Sequence, residues 1–422
     1  MKSISIQISQ RQRLVLIFVM AVLFFMWGLL TNLNLFLYQH FKVIFNLSYS
    51  VSTLINLTFF CTYLIVSLQA GNMIARVGYK KGILIGWLLA CAGCLLFFIS
   101  VKSHYYYLFL IALFFMAAGI TILQVGANLY VVLIGDVKKA ASRLVLTQAF
   151  NSLGAVVGPI LSVKILSKYI DIPYSYLSTQ VPLLDKISME SPYIKDLYLI
   201  LGALMVLFAI FLMLIYMPEI DTHLLEPLNK IASRRKRHVM HFSQLRLGAF
   251  AIFAYVGAEV ALASYLDDFS PDHARNYWLL AMIGRFIGAI VLLFIPTNKA
   301  LGSVALVSAL LLTVTTFIPP EYMGYNYNIV MCIGLFNSIM FPSIFTLGVN
   351  GLGKFSLSGS AVLVMFIVGG AIIPFNVRNF AYISYDFALL IVIACYLYIS
   401  VYGFSLSQFT KRDDLNDDEV LV

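Results

Sequence analysis

The chain has 422 residues, 61% of them hydrophobic and only 11% charged, with a mean hydropathy of +0.92. That balance excludes a soluble globular domain, whose core could not absorb so much apolar surface, and points to a polytopic membrane protein. The net charge of +9 raises the alternative of a nucleic-acid partner, but its placement along the chain follows membrane topology instead.

Apolar windows of about 20 residues, the length a helix needs to cross about 30 Å of hydrocarbon, recur from end to end. Twelve are predicted. The N-terminal stretch MKSISIQISQRQR leads into the first, 14–39, which is too long for a signal peptide and lacks a small-residue cleavage site. It carries Asn32 and Asn34 in an otherwise apolar run. The second window, 50–74, ends in GNMIARVGYKKG (71–82), where glycines and three basic residues predict a tight turn on a basic face. Window 81–101 contains the CAGC of residues 91–94, read as helix packing because all five cysteines fall in apolar windows. Windows 105–134, 143–168 and 195–217 follow, the first two carrying Gln124 and Asn128, then Gln148 and Asn151.

The break from Pro218 to Ser243 holds SRRKRH, a topology determinant for anionic lipid rather than a nucleic-acid site. Beyond it lie windows 244–267 with Glu259, 273–296 with Arg285, 299–318, 325–350 with Asn337, 355–377 with Gly369 and Gly370, and 380–407. The division expected is a six-helix bundle over 1–217, a central loop over 218–243, a second bundle over 244–410 and an acidic tail over 411–422. With twelve crossings, 19 of the 28 basic residues fall on the side of both termini, eight on the other and Arg285 within the membrane. That excess places both termini in the cytoplasm, and an odd number of crossings would scramble it.

Polar groups at membrane depth are the default functional candidates. Gln124 and Asn128 are four apart, as are Gln148 and Ser152, so each pair shares a helix face. Such amides either join helices or line a polar cavity. Their recurrence on three helices fits a cavity, and groups that both donate and accept suit a neutral polyol such as a sugar. Asn337 is the candidate from the second half. Glu259 is the only acid deep in any window, eight residues from Asp267, and Arg285 lies ten past Arg275, so both sit about 12–15 Å from one side. They form either a permanent structural ion pair or a proton-titrating unit. No nucleophile with a histidine base, metal-ligand cluster or phosphate-cradling loop occurs, so neither an enzyme nor a cofactor is expected.

The blocks FFMWGLLTNLN, AGNMIARVGYKKG, LTQAFNSLGAVVGP, YVGAEVALASYL, MIGRFIGA and FPSIFTLGVNGLGKFSLSGSAVLVMFIVGGAIIP resemble, in order and spacing, the fucose, galactose and glucose proton symporters of the major facilitator superfamily. The resemblance implies an all-α carrier of twelve transmembrane helices in the bacterial inner membrane, moving a monosaccharide of the fucose or hexose type through a central cavity. It also exposes departures. The fucose-permease pattern has an Asp where this chain has Leu35 and a Glu where it has Gln124; the acid of the superfamily's loop signature is replaced by Ala75. Glu259, in contrast, keeps an acid that many relatives share. Three outcomes stay open: a facilitator, proton coupling through Glu259 with Arg285 as its partner, or a carrier of another metabolite class. The partners expected are the solute, protons and the lipid bilayer, with no nucleic acid and no requirement beyond a monomer.

Overall fold

The computed structural model describes residues 9–44, 49–103, 105–166, 200–220, 238–318, 323–381 and 385–408, and every regular element among them is helical. The first group comprises α1 (Gln10–Ile44), α2 (Tyr49–Val77), α3 (Tyr79–Ser103), α4 (Tyr106–Leu133), α5 (Ala140–Leu166) and the shorter α6 (Ile200–Leu214). The second comprises α7 (Ser243–Phe269), α8 (Pro271–Val291), α9 (Thr297–Thr316), the successive pairs α10 (Met323–Asn337) with α11 (Met340–Val349) and α12 (Ser356–Met365) with α13 (Gly369–Ala381), and α14 (Tyr385–Phe404). Helices are the only open-ended element that satisfies every backbone group without water, which is why an apolar chain of this kind adopts them throughout.

Helix pairs approach closely where the sequence supplies glycine. A Cβ on Gly28 of α1 would collide with the Asn151 carbonyl of α5, and one on Gly154 of α5 with the Phe25 carbonyl of α1. Small residues let the backbones touch, which replaces the hydrophobic drive that lipid does not supply. Gly93 and Gly119 do the same between α3 and α4, so the CAGC segment lies in a packed seam.

Two predicted continuous windows are interrupted. The window at 325–350 breaks at Ser338 and Ile339 between α10 and α11. Pro342 has no N–H to bond the Ser338 carbonyl, and its ring crowds that same group, which favours a break there. The window at 355–377 narrows to a 3-10 turn over Phe366–Val368 before α13 resumes at Gly369. Gly370 faces the Phe60 ring of α2.

The predicted tight turn at 71–82 is also shorter than the sequence suggests. α2 runs on to Val77, so Gly71 lies inside it, against Ala361 of α12, and only Gly78 turns, with φ of 87°. Its N–H bonds the Ile74 carbonyl at 2.9 Å, a left-handed helix ending that glycine adopts without strain. Although the turn has no acid of its own, Glu219, beyond α6, supplies one: its carboxylate accepts from the Tyr79 and Lys80 N–H groups at 2.8 and 3.3 Å, at the start of α3. Lys80 in turn donates to the Met213 and Ile215 carbonyls at 2.9 and 2.7 Å, at the end of α6. Arg143 binds the Val132 and Asp136 carbonyls at 2.9 and 2.7 Å, closing the turn between α4 and α5. These turns define a basic face of the bundle.

The two groups of helices meet along α5 with α8 and along α2 and α4 with α12. On the basic face the contact is a seal: Ala141 and Val145 pack with Ala289, Leu292, Ala300 and Ile339. Ser142 Oγ donates to the Ala289 carbonyl, and Ser360 Oγ to the Val125 carbonyl at 2.8 Å.

Replacing Glu219 by Ala leaves the first N–H groups of α3 without their carboxylate. The expected loss is about 1 kcal/mol, the usual value of a helix cap, read as a lower thermal unfolding midpoint of the purified protein in detergent. An unchanged midpoint shows that the contact contributes nothing.

Candidate functional site

The polar residues at membrane depth fall into two sets. Asn32 donates to the Gly28 carbonyl of its own helix at 3.2 Å, and Asn151 donates to the Phe24 carbonyl of α1 at 3.0 Å. These two amides are engaged in helix bonding. Asn34 and Leu35 lie on α1, and their side chains fall outside the described part of the structure, as do residues 167–199, 221–237 and 409–422, among them the predicted outer loop of 169–196, the RRKR segment and the acidic tail. Gln124 is half-buried and donates to the Tyr63 hydroxyl of α2 at 3.1 Å.

The remaining candidates form a connected array across α4, α5, α7, α8 and α10. Gln148 donates from Nε2 to Asn128 Oδ1 at 3.2 Å, joining α5 to α4. Arg285 of α8 reaches across to α5, where Nη1 donates to Ser152 Oγ and lies 3.4 Å from the Gln148 carbonyl. Its Nη2 lies 3.9 Å from Glu259 Oε1. The guanidinium thus touches both groups of helices at once. At 3.9 Å the ion pair is a charge contact rather than a hydrogen bond.

Tyr255, one turn before Glu259, donates to its Oε1 at 2.7 Å and lies 3.1 Å from the Asn337 carbonyl. Asn337 Nδ2 donates to the Tyr277 hydroxyl at 2.6 Å. Tyr255, Tyr277 and Tyr396 are among the largest fully buried side chains. Among the described residues, four polar atoms of this array and its tyrosines have no hydrogen-bond partner: Asn128 Nδ2, Arg285 Nε, Asn337 Oδ1 and Tyr396 Oη. A buried donor or acceptor left unpaired costs about 1–3 kcal/mol, so this array retains capacity to bind a polar solute or water.

Glu259, Arg285, Gln148, Asn128 and Asn337 are therefore brought together, whereas Asn32, Gln124 and Asn151 are not joined to them. The tyrosines were not singled out by sequence reasoning. Tyr255 carried a usable signal, its spacing of four from Glu259; Tyr277 and Tyr396 carried none, since aromatic residues are common in every window. An apolar cavity of about 250 Å³ lies elsewhere, between α3 and α6, lined by Cys91, Cys94, Leu95, Gly202, Ala203, Met205 and Val206. Among its described lining residues the two thiols are the only ionisable groups.

The Major Facilitator Superfamily matches residues 16–375. The chain belongs to the major facilitator superfamily. Within that superfamily it is 40% identical over 399 residues to the glucose/galactose transporter of Brucella abortus biovar 1, spanning 91% of this chain and 92% of that one. It is 31% identical over 374 residues to the L-fucose-proton symporter of Escherichia coli K12, spanning 83% of each. A superfamily transporter crystallised in the outward conformation, FucP, superposes with a TM-score of 0.81 at 28% identity, over 92% of this chain and 97% of that one. The superfamily fold accounts for the two groups of six spans, with α10–α11 and α12–α13 each forming one interrupted span.

Because a guanidinium cannot shed its proton while a buried carboxyl can take one up, the two ends of the pair respond unequally. Glu259→Gln should destabilise by about 3 kcal/mol, the value for stranding one member of a buried pair, and Arg285→Met by less. The double variant should lose less than the sum. Strict additivity in denaturation midpoints converted to free energy would show that the two do not interact.

Proposed function

We propose that the protein is a secondary transporter, and not an enzyme, that carries a monosaccharide of the glucose, galactose or fucose type by alternating access and couples it to protons through Glu259. The names of the relatives support the solute class. The observation that carries the coupling is the position of Arg285, in contact with Glu259 on its own side while bonded to Ser152 across the seam. A carboxyl that gains or loses a proton there changes how firmly the guanidinium is shared between the two halves. The transport cycle requires that sharing to differ between conformations.

In this reading the six-span units are 1–217 and 244–410, joined by the loop 218–243, with the acidic tail 411–422 beyond. The basic face is cytoplasmic, as are both termini, and the membrane is the bacterial inner membrane. The seal around Val145 and Ile339 then closes the cytoplasmic side, in keeping with the similarity to FucP in its outward conformation. Sugar hydroxyls meet Gln124, Asn128, Gln148 and Asn337, with Asn32, Asn34 and Asn151 on the first-half wall; the unpaired Asn128 Nδ2 is the donor most ready for them. The carrier acts as a monomer.

A second reading has its own support. Leu35 and Gln124 are neutral where the resembled pattern has acids, which favours facilitated diffusion or another solute class.

The test is reconstitution in liposomes, with internal pH recorded as hexoses, deoxyhexoses and pentoses are added without an imposed gradient. A sugar-driven pH change that Glu259→Gln abolishes is the expected result. Sugar equilibration with no pH change makes the protein a facilitator, and no movement of any sugar assigns it another solute.

A further inference from the structure

The hydroxyl of Tyr255 stands between two oxygens, Glu259 Oε1 at 2.7 Å and the Asn337 carbonyl at 3.1 Å. A phenol has one proton and donates it to one of them at a time. Glu259 decides which. An ionised carboxylate only accepts, so the Tyr255 proton goes to the charge and the Asn337 carbonyl loses its donor. A protonated carboxyl donates its own O–H to Tyr255 Oη, and Tyr255 then passes its proton to Asn337. Both contacts are satisfied only in the second arrangement. Tyr255 is 1% exposed and Asn337 fully buried, so bulk water does not replace the lost bond.

The carbonyl in question is a special one. Asn337 is the last residue of α10, at the break that Pro342 favours. Two residues on, Ile339 packs in the seal with Val145 and Ala289. Whatever holds the Asn337 carbonyl therefore holds the hinge from which a sealing side chain projects.

We infer that Tyr255 is a positioning residue that ties the proton on Glu259 to the geometry of the break in span ten, and through it to the seal on the basic face. The inference rests on the reading of Glu259 as the proton site. The titratable and charged groups facing Glu259 are Arg285 and Tyr277 of α8, Tyr396 of α14 and Tyr255 itself. α11 and α12 carry no charged residue, and Arg378 of α13 is paired with Asp268 at 3.6 Å. Arg285 links Glu259 to Ser152 and Gln148 of α5. Tyr277 binds the Asn337 side chain, not its carbonyl, so it serves as an internal control.

Amide hydrogen exchange of the purified protein in nanodiscs, from pH 5.5 to 8.5 and corrected for the intrinsic pH dependence, tests this. In the wild type, amides of residues 339–341 should exchange at least about fivefold faster on the high-pH side, as expected when one hydrogen bond of about 1 kcal/mol is lost. Glu259→Gln, whose amide donates to Tyr255 as the neutral acid does, should exchange slowly at every pH. Tyr255→Phe should exchange fast at every pH although Glu259 is intact, and Tyr277→Phe should keep the pH step. A step of wild-type size in Tyr255→Phe, or none in the wild type, overturns the inference. Should Tyr255→Phe fail to accumulate in the membrane, the wild-type step and its loss in Glu259→Gln still decide. Proton-coupled sugar accumulation on the same preparations separates the two claims. If accumulation survives Glu259→Gln, the proton-site reading fails; if it requires Glu259 while the exchange step is missing, the relay alone fails.

Discussion

A guanidinium cannot shed its proton, so Arg285 at membrane depth has to be neutralised and hydrogen-bonded where it stands. No single neighbour does this. Glu259 supplies the countercharge at 3.9 Å, and Ser152 with the Gln148 carbonyl supplies acceptors from the other group of helices. One side chain therefore has obligations on both sides of a seam that a carrier must repeatedly open. Separating the halves removes the acceptors on α5 and leaves the guanidinium to Glu259 or to entering solute and water. On the proposed function, that conflict is what ties the array to the opening of the seam.

The rest of the structure limits where movement is available. Glycine-mediated contacts hold α1 against α5 and α3 against α4 almost backbone to backbone, so each pair moves as a unit. On the basic face, Glu219, Lys80 and Arg143 tie helix ends within the first group through charge-assisted bonds to main-chain groups. Apart from the Arg285 contact, the seam is held differently, by apolar side chains and by serine-to-carbonyl bonds whose acceptors belong to helices already bonded internally. Such contacts contribute about 1 kcal/mol each. Strong bonds within groups and weak bonds between them are what rigid-body rocking requires.

The fold was legible because its cause is compositional: hydrocarbon admits little besides helices, and window length and basic-residue bias follow from that one constraint. Superfamily membership was legible from ordered motif blocks. The interrupted helices were not. Pro342 and Gly369 are visible in the sequence, but membrane helices often carry proline and glycine without breaking, because neighbours can satisfy the freed groups. The site was half legible. A lone acid and a lone arginine at similar depth on consecutive helices predicted the Glu259–Arg285 contact, since depth is additive along a helix. Amides were ambiguous for a physical reason: the group that binds a sugar hydroxyl binds a helix carbonyl equally well, as Asn32 and Asn151 do. Only three-dimensional partners separate the two uses. Ala75 illustrates the converse, because the carboxylate missing from its turn is supplied by Glu219, far along the chain.

The departures at Leu35 and Gln124 then have a single electrostatic consequence. With both positions neutral, the ionisable carboxyl of the central array lies in the second half, while the unpaired Asn128 donor lies in the first. In the proposed cycle, a proton bound at Glu259 is felt by a solute held on α4 and α5 only through groups that cross the seam. Arg285 is one such route, by charge. The chain from Glu259 through Tyr255 and the Asn337 carbonyl to Ile339 is another, by hinge geometry. The two act in the same direction: neutralising Glu259 frees Arg285 for the acceptors on α5 and returns the Tyr255 proton to the hinge, and both effects favour the closed seam. On the proposed function, concentrating the acid in one half makes the seam itself the element through which proton and solute are coupled.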